Sequence, residues 1–177
     1  EANVSLNCKS LPLDEQLLSV LPAGAGQAYR SMRPGGSFDL DADEFVIRAG
    51  DANGLSIETA GTVRLSDIAT GSEPQVSGLN AVIEVNDLAY SQQAGLQRLA
   101  GSIFDSSLRL EGKLLSGLGA NLGYEKKRNR LNIEQIVGRL YGGRVNGQIA
   151  IENHADETVT YSVRAAMDQV DMNRMLS

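Results

Sequence analysis

Alternation of apolar and polar side chains constrains the fold of this chain more than any other feature of its sequence. Within Leu131–Ile151 it places Val145, Ile149 and Ile151 on one side, and the run Thr158–Ala165 repeats the pattern. Successive residues of a strand point to opposite faces of a sheet, so this period predicts strands with one apolar face. A polar segment typical of a turn separates the two runs. The pattern therefore predicts an antiparallel β-meander.

The paired glycines Gly142 and Gly143 interrupt the first of these runs. Glycine inside a strand pattern is typical of a bulge or a close approach of two backbones. We therefore expect the strand to kink or bulge at this pair.

Strand patterns also fill most of the remaining sequence from Ser37 onward. Phe38, Leu40 and Ala42 alternate with acidic residues, and the phase then shifts at Phe45, which predicts a bulge. Gly61 separates two further short apolar runs, and turn signals recur at short intervals. With 19 glycines and only 5% aromatic residues, the composition favours a plain, curved sheet filled by aliphatic side chains.

One segment near the N-terminus departs from the strand pattern. Asp14 is a suitable N-cap for a short helix through Val20, and Pro22 ends that helix. A second helical stretch follows over Gln27 to Arg33. The predicted fold is thus mainly β, a curved antiparallel meander sheet with a short helical pair near residues 14–33.

The bulk properties restrict the classes of partner. The formal net charge of −6 argues against nucleic acid held by a general positive field. The single cysteine, Cys8, has no partner for an internal disulfide. No run approaches the ~18 apolar residues of a membrane-spanning helix. Both ends of the sequence resemble cuts, so we expect residues 1–177 to form one β-rich section of a longer protein.

Residues that could support catalysis are scarce. His154 is the only histidine, and the acidic run Asp39–Glu44 lacks the glycine and the final glutamate of an EF-hand loop. We interpret that run as a strand with carboxylates on its solvent face. A carboxylate-dependent hydrolase is the enzymatic alternative, because two carboxylates suffice for such chemistry. We expect no enzyme activity, no catalytic residues, no metal and no cofactor.

Positive charge is concentrated at one predicted hairpin tip. Its four cations are Lys126, Lys127, Arg128 and Arg130. A solvated tip explains them adequately. The alternative is contact with anionic lipid headgroups or with an acidic partner.

The C-terminal part of the sequence resembles the AsmA-like family of bacterial envelope proteins. The resemblance rests on Leu118–Tyr124, on the step Leu-Tyr-Gly-Gly-Arg-Val-Asn-Gly at Leu140–Gly147, on Tyr161–Val163 and on Val170–Leu176. Residues 98–177 are the part most similar to the C-terminal region of that family. The predicted helical pair is a departure from the family's continuous β-structure.

The resemblance implies a non-enzymatic periplasmic protein, anchored in the inner membrane by segments outside this chain. Such proteins form a long, taco-like β-groove with an apolar interior, and they are implicated in phospholipid transport and outer-membrane maintenance. An apolar sheet face suits phospholipid acyl chains as partners. The side chains expected to line the groove are Leu118, Leu122, Tyr124, Leu131, Ile133, Leu140, Val145, Ile149 and Ile151.

A second function fits the same strands. If two sheets packed face to face, the apolar side chains would form a sealed core. The chain would then be a structural or adhesion β-sandwich module of an extended cell-surface protein. Alternation alone does not distinguish an open groove from a closed sandwich.

Overall fold

Nine antiparallel strands form the fold in the computed structural model, which describes residues 2–14, 33–50, 54–71, 75–154, 158–171 and 173. The strands are β1 (Ala2–Pro12), β2 (Pro34–Gly50), β3 (Gly54–Thr70), β4 (Val76–Ser91), β5 (Gly95–Leu110), β6 (Lys113–Glu125), β7 (Arg130–Leu140), β8 (Gly143–Asn153) and β9 (Val159–Asp168). A 3₁₀ turn, Lys126–Arg128, joins β6 to β7.

The strands lie in one sheet in the order of the chain, from β1 to β9. The prediction of a mainly β, curved antiparallel meander is confirmed. One strand is longer than the sequence suggested, because β3 runs through Gly61 without a break. The predicted helical pair falls almost entirely on residues 15–32, which lie outside the described residues.

The Gly142–Gly143 pair is not a kink within a strand, so that prediction was wrong, whereas the close approach of two backbones is present at Gly143. Tyr141 and Gly142 form the two-residue turn between β7 and β8, with φ of 47° and 82°. Positive φ at both central residues matches the right-handed twist of the flanking strands, and glycine adopts it without steric cost. Leu140 consequently pairs with Gly143, and Arg139 pairs with Arg144.

A band of irregularities crosses the first seven strands of the sheet. Each strand shifts its register at a residue with positive φ: Ser10, Gly36, Asp67, Gly78, Asp105, Gly117 and Gln135. Bulges bend a strand and increase its local twist, so a continuous band of them curves the sheet. The bulge predicted before Phe45 is also present, as a register shift between Asp41 and Glu44.

Ladder pairing assigns the side chains to two faces of different chemistry. Leu40 pairs with Val63, and the same row continues through Ile83, Ile103 and Ala120. We name this side the apolar face. One residue further along each strand runs the polar face, whose row is Asp41, Thr62, Glu84, Ser102, Asn121 and Glu134. The predicted position of the acids on a strand's solvent face is therefore confirmed for Asp39, Asp41 and Glu44.

Burial is shallow throughout the described sheet. The buried hydrophobic residues are Ala42, Ile68, Ala81, Ala89, Leu140 and Ala150. Most of these are small, and the substantial contacts between elements are those of neighbouring strands. The described residues therefore form a single layer, because no second sheet or helix among them packs against the apolar face.

Candidate functional site

The apolar face continues across the sheet without a charged residue in its central rows. Seven ladder partners make up one of these rows, from β3 to β9: Gly61, Val85, Gly101, Leu122, Ile133, Ile149 and Val163. Among charged residues with a described ladder partner, Lys113 at the start of β6 is the exception that lies on this side. The bulges make this possible, because each restores the alternation after one unpaired residue.

The apolar face contains a hollow over β2 to β5, with a volume of about 580 Å³. Its lining is aliphatic and aromatic, apart from Thr59, Gln92 and Gly61. The large lining side chains are Leu40, Phe45, Leu55, Ile57, Val63, Val85, Leu88, Tyr90 and Leu96. Ligand sites of drug-sized molecules have volumes of this order and linings of this type.

The groove residues predicted from the sequence lie together on the same face, in β6, β7 and β8. Leu122 pairs with Ile133, and Ile133 pairs with Ile149. A parallel row joins Tyr124 to Leu131, and Leu131 to Ile151. Toward the β7–β8 turn, Leu118 lies over Gly138, the ladder partner of Val145, and Leu140 pairs with Leu115. Their contact with lipid stays a prediction.

None of these predicted residues lines the hollow, which belongs to the N-terminal half of the sheet. The sequence analysis did not assign groove residues to the N-terminal half, because the family resemblance covers residues 98–177. The signal was present in the alternation of Phe38 to Ala42 and of Ala81 to Tyr90. Alternation does not specify the register between strands, which brings Ile57 beside Tyr90 and Thr59 beside Leu88.

The basic hairpin tip is partly neutralised by its neighbours. Arg128 Nε lies 3.6 Å from Glu125 Oε1, and Arg130 Nη1 lies 4.0 Å from Glu152 Oε2. Lys126 Nζ donates to Gln97 Oε1 in β5. That contact places the tip beside the end of β5 that contributes Leu96 to the hollow. The headgroup contact expected of these four cations remains a prediction.

An ion-pair ladder crosses the polar face behind the hollow. Arg48 Nη1 lies 2.9 Å from Glu58 Oε2, and Arg98 Nε lies 2.9 Å from Asp87 Oδ2. Arg98 also reaches Glu58 at 3.8 Å. The hydrogen bond and charge of Arg48 hold the pKa of Glu58 below its ordinary value, and Asp87 raises the pKa of Arg98. The ladder joins β2, β3, β4 and β5 on the side away from the hollow.

We expect Glu58→Gln to lower the thermal midpoint slightly at neutral pH, because it removes the central carboxylate of the ladder. A carboxylate whose pKa is lowered on folding stabilises the fold above its unfolded-state pKa, and this is lost as the pH falls through the folded-state pKa. The difference in midpoint from the wild type should therefore close in acid. Calorimetry between neutral and acidic pH measures it, with Glu84→Gln as the control carboxylate on the same face. A difference in thermal midpoint that stays constant in acid would contradict a lowered pKa for Glu58 in the folded state.

The described residues contain no cluster of three or more potential metal ligands. No helix among them has the length and apolarity required to cross a membrane. The run Asp39–Glu44 contributes to strand pairing, since Asp39 Oδ1 accepts a hydrogen bond from Ser10 N at 2.8 Å.

Comparison of this chain with models of known protein families, with curated proteins and with solved structures finds no match. The resemblance to AsmA-like proteins therefore rests on the sequence motifs alone.

Proposed function

We propose that this chain is a section of a periplasmic β-groove that carries phospholipid by its acyl chains, in a protein of the AsmA-like type anchored in the inner membrane. The observation that carries the proposal is the apolar face, which is continuous over nine strands and uncovered by any described residue. Exposed apolar surfaces of this extent mark sites of interaction with lipid or protein. The proposed role is transport and envelope maintenance, without catalysis.

A groove accounts for the arrangement of the strands better than the structural or adhesion sandwich does. A sandwich requires two sheets whose inner faces seal one core, whereas the described strands form one sheet. The hydrophobic side chains of the apolar face are mostly half-buried, and Ala42, Ile68, Ala81 and Leu140 are the buried ones. An open, half-buried surface can exchange its contents, while a sealed core cannot.

The hollow suggests how a phospholipid would be oriented. Acyl chains would occupy the aliphatic part around Ile57 and Leu88, where no charged side chain lines the wall. The phosphate would then face the end of the hollow near Gln92, toward the basic hairpin tip beyond β5. Lys127 has no described ion pair, so its charge is available to an anionic headgroup.

The test is mass spectrometry of lipids extracted from the chain after purification from a bacterial host without detergent. We expect phospholipid to co-purify with the wild type. Ile57→Asp with Leu88→Asp charges the hollow, and Val145→Asp with Ile149→Asp charges the same face in β8. Because an ionised carboxylate against acyl chains costs several kcal/mol, each pair should reduce bound lipid by about tenfold or more.

Phe104→Asp with Val137→Asp is the matched control, because it makes the same chemical change on the polar face. These side chains are 43% and 49% exposed, so the control should keep both its fold and its lipid. Circular dichroism establishes that all variants remain folded. Absence of phospholipid from the wild type, or equal loading of all folded variants, would refute the groove.

A further inference from the structure

Two arginines face each other across the β7–β8 hairpin. Arg139 and Arg144 are direct ladder partners on the polar face, and both side chains are exposed. Within the described residues neither guanidinium forms an ion pair or hydrogen bond. Asp168 is the ladder partner of Arg144 on its other side, and it is the nearest carboxylate to the pair in the ladder. This pairing contrasts with the basic hairpin tip, where three of four cations have partners.

Like charges directly opposite each other destabilise a sheet. Directly paired side chains on neighbouring strands have Cβ atoms about 5 Å apart, so both guanidinium groups can converge on one anion. Arginine presents a planar fork of N–H donors that matches phosphate oxygens.

A hollow of about 560 Å³ lies beside the two arginines. Besides Arg139 and Arg144 it is lined by Leu114, Ser116, Tyr141, Gln169 and the two glycines at the β7–β8 turn. Ser116 pairs with Arg139 on the β6 side, so its hydroxyl lies on the same face. The wall therefore combines two positive charges with neutral hydrogen-bonding groups and one leucine side chain, and it contains no carboxylate.

The chain after β9 builds one side of this hollow. The backbone of residues 168–170 passes so close to Gly143 that a Cβ there would lie 2.5 Å from Asp168 O and 2.6 Å from Gln169 C. Asp171 N donates to Tyr141 O at 3.4 Å, which holds this segment against the turn. Glycine at 143 thus permits the close approach that brings Gln169 to the hollow.

From this arrangement we propose that Arg139 and Arg144 form a binding site for a phosphate group on the polar face. The site lies across the sheet from the lipid hollow and does not depend on what occupies the apolar face. Two sources supply the same chemistry, namely a free phosphate or phosphomonoester, and the headgroup of an anionic phospholipid at a membrane surface.

The experiment measures binding of inorganic phosphate by calorimetry at low ionic strength, and flotation with phosphatidylcholine vesicles with and without phosphatidylglycerol. Arg139→Gln with Arg144→Gln should weaken binding about tenfold or more, because charge-assisted hydrogen bonds of two arginines are lost. The control is Lys9→Gln with Arg64→Gln, which removes the same charge from exposed residues of β1 and β3. It should change the affinity by less than about twofold.

Binding in the phosphate arm alone would assign a soluble ligand, and binding only to phosphatidylglycerol vesicles would assign a headgroup. The proposal is overturned if neither ligand binds the wild type, or if the two double variants lose affinity equally, since binding would then follow net charge. Removing opposed like charges should not unfold the sheet. The single variant Arg144→Gln should also weaken binding relative to the wild type, by less than the double variant does.

Discussion

Gly61→Ala is expected to destabilise the fold by about 3 kcal/mol, near the upper end for overpacking a single methyl group. A Cβ at Gly61 would overlap Asp41 O and would lie 2.8 Å from Ala42 Cα. These are backbone atoms of the adjacent strand, at the register shift in β2, so they cannot rotate away as a side chain can. The sheet would have to open there. In a chain of 177 residues the thermal midpoint should fall by about 10 °C.

Gly123→Ala provides the matched comparison. Gly123, like Gly61, lies within a strand and has no positive φ. In contrast to Gly61, no atom lies within 4 Å of a Cβ added there. Alanine there should be neutral or stabilising by about 0.5 kcal/mol, because it reduces the entropy of the unfolded chain. Urea unfolding of both variants measures the difference. Equal stability of the two would show that the close approach of β2 to β3 is not a constraint.

Leu140→Ala is expected to cost about 3 kcal/mol. Leu140 and Ile68 have the largest side chains among the buried hydrophobic residues, and Leu140 is only 5% exposed. It lies next to the β7–β8 turn, with Leu115 and Gly143 as ladder partners. Truncating a buried leucine loses its transfer free energy and leaves a cavity. Denaturant titration of the purified variant gives the loss in free energy of unfolding.

Leu114→Ala makes the same chemical change at a side chain that is 47% exposed. It should cost less than about 1 kcal/mol, because little area returns to water and no cavity forms. If Leu140→Ala were as mild as Leu114→Ala, the apolar face near this turn would have no packing of its own. In that case backbone hydrogen bonds between the strands, and not side-chain packing, would stabilise this part of the sheet.

The sequence predicted the class of fold because alternation is a local property. Val145, Ile149 and Ile151 fell on one side in the prediction, and they do so in the structure. The same reasoning divided β3 at Gly61, because Thr59 and Gly61 interrupt the apolar residues of that strand, although its alternation keeps the same phase there. A glycine within a strand and a glycine in a loop look the same in the sequence, so β3 was predicted too short.

Features that depend on pairing between strands could not be predicted from the sequence. Arg139 and Arg144 are five positions apart, and only recognition of a two-residue turn at Tyr141–Gly142 makes them neighbours. Treating Gly142–Gly143 as a kink concealed this. The hollow likewise requires the register of four strands, β2 to β5, which no single segment encodes.

The strands have the same order in the sheet as in the chain. This order has a consequence for how the protein folds and unfolds. Among the described residues, each strand makes its substantial contacts with the strands beside it, so the free energy of folding approximates a sum over adjacent pairs, as in repeat proteins. From β2 to β9 neighbouring strands are joined by short connections of two to five residues, which lowers the entropy cost of pairing them. Any hairpin can therefore nucleate the structure, and unfolding proceeds inward from the terminal strands. A defect in the interior, such as one at Gly61, would divide the molecule into two parts that lose their cooperativity with each other.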